Sequence, residues 1–169
     1  MMTRTTLALL AGTSALLLAA GTHAQVSYGI DEVTVDGALN VANADGESFT
    51  SFTFGIGYGY FVTDAIELGA TLGVNKFEGR DTFGDVGGFA ELHFGAVESL
   101  TVPYVGAAFG VGYGNDIDNP WMADVHGGLK WFIASGGAIR LEPYYQRVEF
   151  DSGGIDNVGV RWGVSLFFR

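Results

Sequence analysis

The chain has 169 residues, among them 27 glycines, three prolines and no cysteine. Its formal net charge is −11 and its mean hydropathy is +0.27. This composition excludes a disulfide scaffold, argues against a disordered chain and offers no basic surface for nucleic acid, so one compact domain is expected.

The first residues have the features of a secretory signal. A short basic start, MMTR, precedes the apolar run LALLAGTSALLLAA. This run is too short for a good spanning helix and is interrupted by glycine and serine. Small residues at Thr22 and Ala24 fit a cleavage point. Residues 1–24 are therefore predicted to be a cleaved signal peptide and residues 25–169 the exported domain; a retained membrane anchor is the alternative.

Beyond the signal, apolar side chains alternate with small or polar ones in stretch after stretch. A period of two is typical of a β-strand whose faces lie in different environments. The first strand is DEVTVDGALNV; SFTFGIGYGYFVTDAIELGATLGV follows as two strands joined at VTDA. Five more follow in DVGGFAELHFG, YVGAAFGVGYG, WMADVHGGLKWFI, AIRLEPYYQRVEF and VGVRWGVSLFF. Eight strands are predicted, and no helical period.

Two architectures fit eight alternating strands: a soluble barrel with an apolar interior, or a membrane barrel with an apolar exterior. Three features favour the membrane barrel. The non-apolar face mixes glycine and alanine with long charged residues, and strands of about 10 or 11 residues would cross roughly 25 Å when tilted. Aromatic residues also gather near strand ends, as interfacial girdles do: Phe52, Tyr60, Phe94, Tyr104, Tyr113, Trp121, Trp131, Tyr145 and Phe168. We therefore predict an all-β, eight-stranded antiparallel up-and-down transmembrane β-barrel.

The connections predict its orientation. VTDA, GAVES and ASGG are short, whereas ANADGES, KFEGRDTFGD, NDIDNP and DSGGID are longer on average and acidic. With both termini periplasmic, the acidic set faces outward. This places eight carboxylates in outer loops: Asp45, Glu47, Glu78, Asp81, Asp85, Asp116, Asp118 and Asp151. Pro143 lacks a ladder donor and is expected at a bulge or near the interface.

The stretches GYGYFVTDAIELGA, PYVGAAFGVGYG, GGLKWF and GVSLFF resemble the small eight-stranded outer-membrane barrels of the OmpA/OmpX type. The resemblance covers essentially the whole chain after the signal and implies a bacterial outer-membrane location. It also implies that the barrel-insertion machinery recognises an aromatic residue at the end of the last strand. Phe168 has the required parity, and Arg169 follows it.

The polar face predicts a lumen filled by a polar network, because eight strands leave an interior that side chains can just fill. Its predicted members are Glu67, Glu91, His93, Asp124, His126, Lys130, Arg140, Glu142, Gln146 and Arg161. If Ser135, Gly136 and Gly137 form the ASGG turn, Lys130 faces Glu142 across two strands.

No cofactor and no metal site are predicted. His93 and His126, with Glu91 and Asp124 nearby in sequence, suggest either a metal or acid–base site or a hydrogen-bonded network; the lack of H-x-x-x-H spacing favours the network. GIGYGY and GVGYGN lack the following helix that a phosphate loop needs.

Three classes of function remain. The first is a structural or interaction barrel with a packed lumen; the second is a small-solute channel. The third is a lipid-modifying enzyme, which needs a serine, a histidine and a carboxylate close together. Because Ser165 belongs to no such motif, we expect no enzyme and favour the first class. The expected partners are outer-membrane lipid, lipopolysaccharide and the insertion machinery, with the chain a monomer.

Overall fold

A computed structural model describes residues 26–44, 47–77, 82–95, 99–114, 119–151 and 153–169. Its strands are β1 (Asp31–Ala44), β2 (Glu47–Phe61), β3 (Ile66–Phe77), β4 (Thr82–His93), β5 (Thr101–Tyr113), β6 (Trp121–Ala134), β7 (Gly137–Phe150) and β8 (Gly153–Phe168). Each pairs antiparallel with the next, and β1 pairs with β8. The eight-stranded up-and-down barrel is confirmed. The signal peptide lies outside the described residues and stays a prediction.

The barrel has two ends. We call the "turn end" the one with both termini and the connections 62–65, 94–100 and 135–136. The "loop end" has the connections 45–46, 78–81, 114–120 and 151–152. In the described part of the chain, no helix is long and apolar enough to cross a membrane.

The two faces of the strands decide between the two barrel types. Large apolar side chains point outward and are exposed, among them Leu39, Leu72 and Trp162. Charged side chains point inward and are buried, among them Glu32 and Lys130. An apolar exterior around a charged interior is the transmembrane arrangement, since a soluble barrel would have the reverse.

Outward-pointing charges mark the edges of the apolar exterior. On the described strands, Asp31 lies at the turn end, and Lys76, Arg147, Glu149 and Asp156 lie towards the loop end. Arg147 forms an ion pair with Asp156 at 2.9 Å. Between these edges the outward side chains are apolar or small. The belt therefore has the form that a bilayer core requires, with its charges at the water interfaces.

An apolar cluster of interior side chains lies near each end of the barrel. The "floor cluster", at the turn end, consists of Val26, Ile30, Phe61, Val102, Phe132, Ala138 and Phe167. The "roof cluster", near the loop end, consists of Phe83, Met122, Val148 and Ile155, with Phe150 packed against it. Residues 26–30 belong to the floor because they are fastened there: the backbone N–H of Gly29 donates to Phe61 O at 3.0 Å, and that of Tyr28 donates to Asp64 Oδ1 at 2.9 Å.

The expected acidic loops are partly strand. The strands run from 12 to 16 residues, longer than predicted, and they include about half of the residues of the acidic segments. Asp85 was predicted in an outer loop, but it lies in β4, where Asn75 Nδ2 donates to its carboxylate at 2.6 Å. Asp151 is exposed between β7 and β8 as expected. Glu47 begins β2, whereas Asp45, Glu78, Asp81, Asp116 and Asp118 lie outside the described residues.

The expectation for Pro143 was wrong. It lies in the middle of β7, on the outward face, and pairs with Val160 of β8. On its other side, the pairing with β6 is interrupted between the pairs His126–Tyr144 and Leu129–Leu141. The missing proline N–H is thus accommodated by a gap in one ladder, without a change of register. The register shift in this hairpin lies between Phe132 and Ala134.

The outward face of Leu72 allows a direct test of the lipid belt. Leu72→Arg should lower the free energy of unfolding in lipid vesicles by about 2–4 kcal/mol, because it places a charge near mid-bilayer. Thr101→Arg introduces the same charge at the turn end of β5 and should lower the free energy of unfolding by about 0–1 kcal/mol. Tryptophan fluorescence during urea titration measures both. Equal effects of the two variants would contradict the assignment of the belt.

Candidate functional site

The lower half of the lumen is built around one lysine. Lys130, on β6, points inward and its Nζ lies 2.5 Å from Glu32 Oε2, 3.0 Å from Glu67 Oε2 and 3.0 Å from Glu91 Oε2. These carboxylates come from β1, β3 and β4, so the contacts reach across the barrel. All four side chains are almost completely buried. We call them the lysine cage.

Aromatic rings line the cage. Lys130 Nζ lies 5.8 Å from the ring centroid of Phe61, 5.1 Å from that of Tyr104 and 5.9 Å from that of Phe167. An ammonium group within about 6 Å of a ring face is attracted by the ring quadrupole. Phe61 and Phe167 also belong to the floor cluster. The cage therefore rests directly on the apolar floor.

Two arginines continue the network towards the loop end. Arg140 Nη2 lies 3.1 Å from Glu91 Oε1 and is also hydrogen-bonded to Glu142. Arg161 donates to Glu142 Oε1 at 2.6 Å and to Asp124 Oδ2 at 2.9 Å. Buried guanidinium groups suit such multiple carboxylate contacts, because they offer several N–H donors in one plane.

Tyr104 and His126 complete this part of the network. The Tyr104 hydroxyl donates to Glu142 Oε2 at 2.8 Å. His126 Nδ1 lies 2.7 Å from Asp124 Oδ1, and its Nε2 lies 3.5 Å from Glu91 Oε1. The connected charges now include groups from β1, β3, β4, β6, β7 and β8. With Tyr104 of β5, the network links seven of the eight strands through their interior faces.

The predicted partnership of Lys130 with Glu142 is wrong. The turn between β6 and β7 is Ser135–Gly136, and Lys130 faces Arg140 in the ladder. Glu142 is occupied by the two arginines and Tyr104, whereas Lys130 reaches across to Glu32, Glu67 and Glu91. The prediction considered only the residue that faces Lys130 within its own hairpin. In a closed barrel a long inward side chain can also contact carboxylates on distant strands across the lumen.

Glycines on the inner face provide the space for these long side chains. A Cβ at Gly59 would lie 1.8 Å from Glu67 Oε1, and one at Gly106 would lie 2.3 Å from His126 Nε2. Neither position can carry a larger residue unless the charged group moves. The glycines that alternate with apolar residues in β2 and β5 therefore leave room for the charged side chains of the interior.

Above the network lies a polar cavity of about 90 Å³. Its lining includes carboxylates, cations and amides: Asp36, Asn75, Asp85, Glu91, Asp124, His126, Arg140, Gln146 and Arg161. Small residues of β2 to β5, among them Gly55, Gly73 and Ala108, also line it. The volume accommodates several water molecules, and the polar lining suits them.

All ten residues predicted for the lumen lie on the interior face. Nine of them share the charged network: Glu67, Glu91, His93, Asp124, His126, Lys130, Arg140, Glu142 and Arg161. Gln146 lies apart and accepts a hydrogen bond from Asn157 at 3.0 Å. Glu32, Asp36 and Tyr104 were missing from the prediction, and Tyr104 was wrongly assigned to the lipid interface. The alternation in β1 and β5 already placed these three on the inner parity.

The fold and interior define a class: a small, closed, eight-stranded barrel of the outer-membrane type, with a charged and filled lumen. Solved structures with the same architecture include three outer-membrane barrels. Neisserial surface protein A (NspA) matches with 17% identity over 83% of this chain and 99% of its own, at a TM-score of 0.71.

The N-terminal β-barrel domain of Pseudomonas aeruginosa OprF matches with 21% identity, 84% and 99% coverage and a TM-score of 0.64. The outer membrane enzyme PagL matches with 14% identity, 77% and 97% coverage and a TM-score of 0.58. At these identities the likeness establishes the fold alone. No protein-family model matches the sequence, and no curated protein matches it.

The lysine cage predicts a specific pattern of coupling between mutations. Lys130→Met should lower the free energy of unfolding by about 3–5 kcal/mol, because it leaves buried carboxylates without their cation. Adding Glu32→Gln should recover part of this loss, since it removes one of those carboxylates.

Glu142→Gln is the matched control. It also neutralises a buried glutamate, but it removes a partner of Arg140 and Arg161, so adding it to Lys130→Met should deepen the loss. Urea unfolding in detergent micelles measures all variants. Equal recovery by the two glutamate changes would contradict the assigned contacts.

Proposed function

We propose that this chain is an integral protein of the bacterial outer membrane with a structural or interaction role. It holds a rigid barrel in the envelope and presents its loop end to partners outside the cell. The observation that carries this proposal is the filled interior: the floor cluster, the charged network and the roof cluster lie one above another. With the lumen occupied, the exterior and the loop end are the surfaces available for function.

The proposed orientation has both termini in the periplasm and the loop end outside. The predicted signal peptide and the short connections 62–65 and 135–136 at the turn end support it. Outer-membrane lipid and lipopolysaccharide are the proposed surroundings of the apolar belt. Phe168 is exposed on the outward face at the end of β8, where the barrel-insertion machinery could recognise it. We propose a monomer, because the barrel closes on itself and leaves no free strand edge.

We propose no enzymatic activity. The neighbour PagL is described as an enzyme, and it shares only the fold at 14% identity. A lipid-modifying enzyme needs its catalytic groups where an acyl chain can reach them. His93 and His126, the two described histidines, are buried inside the barrel, and so is Ser165. The interior therefore offers an acyl chain no accessible serine–histidine pair among the described residues.

A small-solute channel is the second candidate, and the polar cavity favours it. The cavity would serve as a vestibule if the roof cluster moved. The charged network lies on its lower side, where Arg140 on β7 reaches Glu91 on β4 and Arg161 on β8 reaches Asp124 on β6. We therefore place the channel second.

Planar bilayers test the filled lumen. The purified protein should show no steady ion conductance, since passage would require the Lys130 and Arg140 contacts to break together. Protease digestion of the same preparation in vesicles verifies insertion. A stable, reproducible conductance from inserted protein would move the function to the channel class.

A strain lacking the gene tests the physiological role. We expect altered envelope integrity, measured as sensitivity to detergents and bulky antibiotics, with normal small-solute uptake and an unchanged lipid A acylation pattern. The wild-type gene on a plasmid should restore the phenotype. A changed lipid A pattern would indicate an enzyme, and changed uptake alone would indicate a channel.

A further inference from the structure

The lysine cage contains buried polar atoms that have no hydrogen-bond partner. Lys130 contacts Oε2 of Glu32 and Oε2 of Glu67, whereas Oε1 of each glutamate is buried and has no hydrogen-bond partner. Both ring nitrogens of His93 are also buried and unpartnered, and its side chain is 1% exposed. A buried polar group without a partner is costly, so three such groups at one place require an explanation.

The ring of His93 is held in position, and its Nε2 faces the carboxylates of Glu67 and Glu91. It lies between Phe61, with ring centroids 4.9 Å apart, and Tyr104, with centroids 5.5 Å apart. Its Nε2 is 3.5 Å from Glu67 Oε2 and 3.3 Å from Glu91 Oε2, without hydrogen-bond geometry. Two ligands bound to one tetrahedral zinc ion at about 2.0–2.2 Å are separated by roughly 3.3–3.6 Å.

The charge of the lumen also favours a further cation. The described interior has seven carboxylates against three permanent cations. The carboxylates are those of Glu32, Asp36, Glu67, Asp85, Glu91, Asp124 and Glu142, and the cations are Lys130, Arg140 and Arg161. Protonation of both histidines would still leave an excess of negative charge. Buried charge of one sign must be compensated, because the surrounding medium screens it poorly.

We infer that Glu32, Glu67 and His93 form a binding site for a divalent transition-metal ion of the zinc type. Each of the three offers one ligand atom, and these atoms lie within 4.8 Å of one another. A set of one imidazole and two carboxylates suits Zn²⁺. Lys130, which contacts both carboxylates, compensates part of their charge. The ion would be taken up during folding, because the floor cluster covers the site.

Metal content after refolding tests this assignment. Protein refolded into detergent with Zn²⁺ and then desalted should retain about one zinc per barrel, measured by mass spectrometry of the metal. It should also unfold at a higher temperature than protein refolded with a chelator. A folded wild-type barrel that retains no zinc would overturn the inference.

Histidine variants locate the ion. His93→Gln should lose at least nine-tenths of the bound zinc, whereas His126→Gln should keep it. His126 is a matched control because it is equally buried and belongs to a second carboxylate group, Glu91 and Glu142. Loss in His126→Gln with retention in His93→Gln would overturn the assignment.

X-ray absorption at the zinc edge covers the case in which His93→Gln does not fold. Zinc bound to the folded His126→Gln protein should show one imidazole among oxygen neighbours. A shell of oxygen atoms alone would show that His93 is not a ligand and would overturn the inference.

Discussion

The structure depends on one constraint: charged side chains that are withdrawn from bulk water need partners inside the barrel. Seven carboxylates and three cations point into an interior capped by the floor and roof clusters. Because each unpaired buried charge is costly, the strands must meet in a register that brings opposite charges together. The ring of strands satisfies its backbone through the ladders, and the lysine cage and the two arginines compensate part of its interior charge.

This constraint explains where glycines and large apolar residues lie in the strands of the barrel. Gly59 and Gly106 have no side chain because Glu67 and His126 occupy that space. Large apolar residues lie on the opposite parity, where they face outward and need no polar partner. The network also resists opening of the barrel, since Lys130 joins β6 to β1, β3 and β4, and Arg161 joins β8 to β6 and β7. A rigid barrel with a filled interior follows from the same contacts that make a conducting path unfavourable.

The sequence predicted the fold well, because alternation is local and the eight strands repeat it. Val33 and Glu32, or Leu129 and Lys130, are separated onto two faces by the period of two alone. Contacts within the lumen were harder to predict from the sequence. Lys130 pairs with Glu32, which is 98 positions away, and the closure of the barrel brings them together. Tyr104 was misplaced because aromatic composition was given more weight than parity. The loop lengths were overestimated because strands extend beyond the bilayer through polar sequence.

The central claim is that the folded interior is closed to water-borne molecules at both ends. The chain has no cysteine, so a single introduced thiol tests it directly. Ala108→Cys places that thiol on the wall of the polar cavity, and Asp151→Cys places one on the exposed loop end. Labelling with a charged, membrane-impermeant thiol reagent should modify Cys at position 151 at once and Cys at position 108 only after unfolding. Rapid labelling of position 108 in the folded barrel would contradict a closed interior.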